Sequence, residues 1–177
     1  MKEDRLDRTQ SNLIAAVTAE CVDAAKYALY AGIAQAEGLG TIARLFEAIA
    51  GNEREHAEIW LKHLKGGLPQ TTRAALEDAI KGENYTRNNY ARFAADADAE
   101  GLTEMSRLFR EVAEIEQQHE AAFARALDEV KTDSVYDKNR SVTWKCGHCG
   151  HEHFGESAPG HCPVCGHERE GFSVKCE

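Results

Sequence analysis

Apolar residues in the first 131 positions recur every three or four residues, which is the spacing of one face of an α-helix. One such run comprises Ile42, Leu45, Phe46 and Ile49. This stretch contains a single proline, Pro69, and a proline inside a helix costs about 3 kcal/mol. The pattern therefore predicts long amphipathic helices in this part of the chain.

Capping residues and glycines mark the ends of four predicted helices. These run from about Thr9 to Gly38, from Thr41 to Lys65, from the Thr71-Thr72 caps to near Gly101, and from about Leu102 to Lys131. Each helix is about 25–30 residues, or ~40 Å, long, which suits a helix bundle. Residues 132–143 are polar and without a period, so they are predicted to be a linker.

The two halves of the helical region repeat each other at an offset of 63 residues. Glu37-Gly-Leu39 recurs as Glu100-Gly-Leu102, and Leu45-Phe46 recurs as Leu108-Phe109. The first and second helices, and the third and fourth, are therefore expected to be copies of one helical hairpin.

Each half also carries a Glu-x-x-His motif, preceded 33 residues earlier by another glutamate. Residues three apart on a helix share a face, so each motif directs a carboxylate and an imidazole to one point. Helices that supply Glu, Glu-x-x-His, Glu and Glu-x-x-His provide the ligands of a dinuclear iron or manganese site. The candidate ligands are Glu20, Glu53, His56, Glu83, Glu116 and His119.

The acidic composition argues against nucleic acid as a partner. The chain has 21 Lys and Arg against 30 Asp and Glu, a net charge of −9, and no cluster of basic residues. No apolar run approaches the ~18 residues of a membrane span, and the N-terminal region is too charged for a secretory signal. We therefore expect a cytoplasmic protein with no membrane partner.

Four of the six cysteines form two Cys-x-x-Cys-Gly turns, which in an intracellular protein indicate a metal site. A structural zinc and a single redox-active iron use the same thiolates, so the ligands alone leave both metals open. The candidate ligands are Cys146, Cys149, Cys162 and Cys165. Of the other two cysteines, Cys21 is expected to be a buried thiol and Cys176 a free thiol in the tail.

Aromatic residues are expected to cover this small site, and the histidines around it to be solvated loop residues. The aromatic residues are Trp144, Phe154 and Phe172, and the histidines are His148, His151, His153, His161 and His167.

Over essentially its whole length the chain resembles rubrerythrin, a family that joins a ferritin-like four-helix di-iron domain to a C-terminal rubredoxin-like domain. The matching stretches are Thr18-Ala-Glu20, Glu53-Arg-Glu-His56-Ala, Gly82-Glu83-Asn-Tyr85, Ala99-Glu-Gly101, Glu116-x-x-His119-Glu and Trp144-Lys-Cys146-x-x-Cys149-Gly. The resemblance implies a mostly α protein with a ferritin-like bundle over residues 1–131, a linker over 132–143 and a rubredoxin-like domain over 144–177. It also favours iron in the four-cysteine site.

The resemblance implies a non-haem di-iron peroxidase that reduces hydrogen peroxide to water in oxidative-stress defence. Electrons would come from NAD(P)H through a separate reductase or a rubredoxin, by way of the four-cysteine iron. The six glutamates and histidines would be both metal ligands and catalytic residues. Tyr27 and Tyr90, seven residues after Glu20 and Glu83, would either orient carboxylates or simply fill the core.

Two other functions remain open at this point. A ferroxidase that oxidises and holds iron would use the same ligands. A non-catalytic helical scaffold with a zinc-held interaction module would leave six ionisable side chains directed inward without a metal, which is costly.

One position departs from the family pattern. Rubrerythrins usually carry a further glutamate three residues after the ligand of the third helix, where this chain has Thr86. In the family that glutamate exchanges with the first-half histidine as the metal changes oxidation state, so His56 is expected to stay bound here. Asp23, three residues after Glu20, is either a substitute ligand or a surface residue.

The connection between the second and third helices is short. In ferritin-like bundles these two helices run parallel, so the connection must return ~34 Å along the bundle. Residues 66–71 reach only ~20 Å when stretched. Either the bundle is a simple up-down one, or the first two helices of one chain pack on the last two of another. We favour the second arrangement, a homodimer with exchanged helix pairs.

Overall fold

The computed structural model describes residues 8–64 and 66–175, so the tail thiol Cys176 lies outside the described residues. Four helices come first, and a small β domain follows. The helices are α1 (Arg8–Ala36), α2 (Gly40–Leu61), α3 (Thr72–Ala99) and α4 (Thr103–Lys131). The strands are β1 (Asp137–Cys146), β2 (Glu152–Ser157) and β3 (Phe172–Val174), with a 3₁₀ turn at Arg169–Gly171. The predicted mostly α fold class is confirmed.

The described residues divide into two compact units, one ending at Leu68 and the other beginning at Pro69. The first unit contains the hairpin of α1 and α2, and the second contains the hairpin of α3 and α4 followed by the β domain. None of the helices in the described part of the chain has the length and hydropathy of a membrane span.

Each hairpin is closed by the same turn, as the internal repeat predicted. Gly38 and Gly101 both have φ of +75°, a left-handed conformation that glycine adopts without strain. The residue after each glycine then donates its backbone N–H to a carbonyl five positions earlier, Leu39 to Ala34 and Leu102 to Ala97, both at 2.8 Å. This is the hydrogen bond that satisfies the free carbonyls at the end of a helix.

The helices of each hairpin meet along a seam of small side chains. The buried alanines are Ala24, Ala31 and Ala34 of α1, Ala43, Ala50 and Ala57 of α2, and Ala94 and Ala97 of α3. Larger apolar side chains lie outside the seam, where Leu29 is 71% exposed and Leu45 is 54% exposed. With the exception of Leu127, which is buried on α4, each hairpin therefore buries small residues and leaves its large apolar ones exposed.

The predicted end of the second helix is wrong. Helix α2 ends at Leu61 rather than at Lys65, which itself lies outside the described residues. Turns follow Leu61 in place of further helix. The N–H of Leu64 donates to the carbonyl of Leu61, and the N–H of Gly67 donates to that of Leu64. The start of α3 is as predicted, since the Thr71 side chain caps it by accepting from the N–H of Ala74 at 3.1 Å.

Strand β1 lies at the centre of an antiparallel sheet with the order β2-β1-β3, and it takes in residues 137–143 of the predicted linker. The core of this domain is formed by Trp144 and Cys146 of β1 together with Ala158, Cys162 and Phe172. Two of the three aromatic residues therefore cover the four-cysteine region as predicted. The third, Phe154, is 72% exposed, because the side chains of β2 alternate between faces and this one points outward.

The prediction of a buried thiol at position 21 is also wrong. Cys21 is exposed, because it lies on a face of α1 that the alanine seam with α2 does not cover.

The alanine seam should not accept larger side chains. Replacing Ala94, which is 1% exposed, with leucine should overpack α3 against α4 and lower the free energy of unfolding by about 1–3 kcal/mol. Urea denaturation measures the loss. Ala95→Leu, at an exposed position of the same helix, should change the free energy by less than about 0.5 kcal/mol. Equal losses in the two variants would mean that the seam is not tightly packed.

Candidate metal centres

The first hairpin brings Glu20 of α1 together with the Glu-x-x-His motif of α2. Glu53 Oε2 lies 2.8 Å from His56 Nδ1, and Glu20 Oε2 lies 3.6 Å from the same nitrogen. The two carboxylates are mostly buried, whereas the imidazole is half exposed. Three predicted ligands that span 36 positions of the sequence therefore meet at one point, because α1 and α2 are antiparallel and tightly packed.

The second hairpin repeats this arrangement with Glu83, Glu116 and His119. Glu116 Oε2 lies 3.0 Å from His119 Nδ1, and Glu83 Oε2 lies 3.9 Å from it. A hydrogen bond between the two carboxyl groups raises the pKa of Glu83, and burial raises it further. In each hairpin the three candidate ligand atoms lie within 4.8 Å of one another.

The chemistry of these two trios fits a metal ion. Two carboxyl groups in contact repel each other when both are ionised, and the raised pKa of Glu83 favours a proton between it and Glu116, which would relieve that repulsion. A divalent cation would replace that proton and neutralise both groups. Carboxylate and imidazole donors are those that iron and manganese accept, and each hairpin supplies half of the ligand set of a di-iron helix bundle.

The four cysteines of the β domain form a third candidate centre. Two equivalent turns present them: the N–H of Gly150 donates to the carbonyl of Cys146 and the N–H of Gly166 donates to that of Cys162, both at 2.9 Å. The sulfur atoms of Cys146 and Cys165 are 3.7 Å apart, and those of Cys149 and Cys162 are 3.6 Å apart. A tetrahedral ion with bonds of about 2.3 Å requires sulfur atoms ~3.8 Å apart. The spacing therefore fits such an ion.

The protonation of these thiols also favours a cation. Burial raises the pKa of Cys162, but backbone N–H groups of Cys165 and Val164 that donate to its sulfur outweigh burial and lower the pKa to about 6. A backbone N–H of His167 lowers the pKa of Cys165, but burial and the neighbouring thiols outweigh it and raise the pKa to about 12. The backbone thus stabilises thiolates that cannot all form together unless a metal ion balances their charge.

The two tyrosines suggested as carboxylate-orienting residues lie in aromatic clusters. Tyr27 packs against Tyr30 and Phe46, with ring centroids 6.2 and 6.3 Å away. Tyr90 packs in the same way against Phe93 and Phe109. Within residues 8–64 and 66–175 no hydrogen bond from either tyrosine hydroxyl is formed. Their action on the carboxylates stays a prediction.

The structure bears on two further residues near the ligands, and only the second differs from its sequence-based expectation. Asp23 pairs with Lys26 at 2.8 Å, which favours the surface interpretation over the substitute ligand. His167 is not merely a solvated loop residue, because its Nδ1 lies 3.3 Å from Cys165 Sγ.

Sequence reasoning missed Trp60. Its indole N–H points to Glu20 Oε1 at 3.5 Å. The 63-residue repeat could have pointed to it, because the position that corresponds to Trp60 in the second half is Phe123, which has no hydrogen-bond donor in its side chain.

Comparison with known proteins agrees with this architecture. The sequence model of the rubrerythrin family matches residues 11–72 and 74–145, and that of the rubredoxin-like domain of rubrerythrin matches residues 144–173. The chain is 34% identical to a relative from Methanocaldococcus jannaschii, over 97% of this chain and 95% of the relative. It is 33% identical to a rubrerythrin of Clostridium perfringens, over 98% and 97% of the two chains. The chain belongs to the rubrerythrin family.

Proposed function

We propose that this protein is a cytoplasmic non-haem di-iron peroxidase that reduces hydrogen peroxide to water in oxidative-stress defence. Electrons would be relayed from NAD(P)H through a separate reductase or a rubredoxin and the four-cysteine iron. The family carries a di-iron site and a rubredoxin-like four-cysteine site. The observation that carries the proposal is the presence on one chain of a four-thiol cluster and two Glu-Glu-His trios.

The six proposed ligands are Glu20, Glu53, His56, Glu83, Glu116 and His119. When bound, the two iron ions supply one electron each. Cleavage of the O–O bond of peroxide into two water molecules consumes those two electrons and two protons. The ligand side chains are the ionisable groups nearest to the reaction. Because Thr86 offers no carboxylate, we expect His56 to stay bound throughout.

We further propose that the active form is a homodimer with exchanged helix pairs. Each di-metal site would take Glu20, Glu53 and His56 from one chain and Glu83, Glu116 and His119 from its partner. The large apolar side chains outside the alanine seams support this assembly, since each hairpin needs another surface to cover them.

The chain between α2 and α3 also supports it. Helix α2 continues eight residues past Glu53, or ~12 Å, and α3 begins eleven residues before Glu83, or ~16 Å. A return along the bundle within one chain must cover both distances and a sideways step. Backbone hydrogen bonds keep the chain in turns as far as Gly67, so this stretch is not extended. The four residues from Leu68 to Thr71 reach only ~14 Å, which is less than the return requires.

The choice of oxidant tests the proposed activity. Anaerobically reduced protein mixed with hydrogen peroxide in a stopped-flow instrument should regain the visible absorption of oxidised thiolate-bound iron quickly, and much more slowly with dioxygen. A protein that stays colourless at all stages would mean that the cysteines hold zinc, and the electron relay would be wrong. Faster reaction with dioxygen would favour the ferroxidase.

The raised pKa of Glu83 predicts a pH dependence of stability. Because the folded state raises the pKa of Glu83 above its ordinary 4.5, it binds a proton there more tightly than the unfolded chain does. Stability of protein without iron at the trios should therefore fall as pH rises from about 4.5 through the raised pKa. Urea denaturation between pH 4 and 7 should show wild type losing stability relative to Glu83→Gln. A pH-independent difference between the two proteins would contradict this.

Mixing two inactive variants tests the exchanged dimer. His56→Ala and His119→Ala each damage every site of their own homodimers. After the two chains are unfolded and refolded together, half of the exchanged dimers contain both, and each mixed dimer has one intact and one doubly damaged site. About a quarter of the sites should therefore regain full metal binding and peroxidase activity. No recovery, with both variants folded and dimeric, would show that each chain completes its own site.

A further inference from the structure

The ligand trios of the two hairpins match residue for residue, but their surroundings do not. Trp60 lies four residues after His56 and therefore on the same face of α2, one turn further along. The residue at the corresponding place on α4, four after His119, is Phe123. Only the first hairpin therefore has a hydrogen-bond donor at this position.

The Trp60 indole reaches across the hairpin to the ligand of α1. Its Nε1 lies 3.5 Å from Glu20 Oε1, in a partly buried contact, while Glu20 Oε2 lies 3.6 Å from His56 Nδ1. The two oxygens of Glu20 thus have different neighbours. One faces a neutral N–H donor that cannot ligate a metal, and the other faces the metal-binding imidazole.

Glu83 has no such neutral donor at the corresponding position of the second hairpin. Its neighbours in the trio are the carboxyl group of Glu116 and the more distant His119 Nδ1, 3.9 Å away. A phenylalanine ring at position 123 fills space but cannot donate a hydrogen bond. The α3 carboxylate is therefore held only by Glu116, a second proposed ligand whose hydrogen bond a metal ion would displace, whereas the Trp60 donor of the α1 carboxylate would stay in place when the metal binds.

We propose that Trp60 is a positioning residue that fixes Glu20 and makes the first hairpin the tighter of the two metal positions. An N–H donor on a ligating carboxylate restricts its rotation before the metal arrives, so less conformational entropy is lost on binding. Loss of such a partner typically costs 10–100-fold in metal affinity. The inference rests on the six proposed ligands and is independent of which oxidant the enzyme uses.

Metal binding to the full-length protein tests this without any turnover. With zinc loaded at the four cysteines, Mn²⁺ is titrated into the protein and the free ion is followed by its electron paramagnetic resonance signal. Manganese prefers carboxylate to thiolate ligands, so it reports on the trios. Wild type should bind two Mn²⁺ per di-metal site with two distinct affinities.

Three variants separate hydrogen bonding from packing. Trp60→Phe, which installs the residue of the other half, should weaken the tighter binding step about 10-fold and leave the weaker step unchanged. Phe123→Leu removes an aromatic ring without removing a donor and should change neither step. Phe123→Trp adds a donor within reach of Glu83 and should strengthen the weaker step.

The inference is overturned if Trp60→Phe binds both ions as wild type does, or if Phe123→Leu weakens binding to the same extent. It is also overturned if wild type binds no Mn²⁺, since Trp60 then has no ligand to position. Circular dichroism checks that the variants are folded, and Phe123→Trp carries the test if Trp60→Phe is not. A wild type that binds two Mn²⁺ but, loaded with iron, fails to reduce peroxide would overturn the proposed function and leave this inference intact.

Discussion

The structure places carboxyl groups beside carboxyl groups, and thiols beside thiols, so closely that their ionised forms would repel one another without a cation. The rest of the molecule is arranged around that repulsion. The hydrogen bond to Glu116 and burial raise the pKa of Glu83, because two neighbouring carboxylates repel. The four thiols, with sulfur atoms 3.6–3.7 Å apart in two pairs, cannot all ionise together. A bound cation would balance the charge of either kind of cluster, so each is a candidate metal site.

The alanine seams explain how a helical hairpin can hold such a cluster. Small side chains let two antiparallel helices approach closely enough for a glutamate on one to meet a Glu-x-x-His motif on the other. Because small side chains occupy the seam, most large apolar side chains lie outside it. A seam that positions ligands is therefore too small to stabilise the hairpin alone, and the proposed pairing with a partner's hairpin would supply the missing burial.

The two hairpins have diverged around conserved ligand geometry. Trp60 faces a ligand in the first, and Phe123 takes its place in the second. The second instead has a half-buried pair of Arg87 and Glu120 at 3.4 Å, where the first packs Ala24 and Ala57. In a duplicated site such differences give the two metal positions different environments.

The amino-acid sequence by itself determined the four helices, their hairpin repeat, the ten candidate ligands and the family, because these follow from residue spacing and glycine placement. It did not determine where α2 ends, that Phe154 points outward, that Cys21 is exposed, or that Trp60 reaches Glu20. Those depend on which surfaces meet. A helical period says which residues share a face, but only packing in three dimensions decides what that face contacts, as the 40-residue separation of Trp60 and Glu20 illustrates.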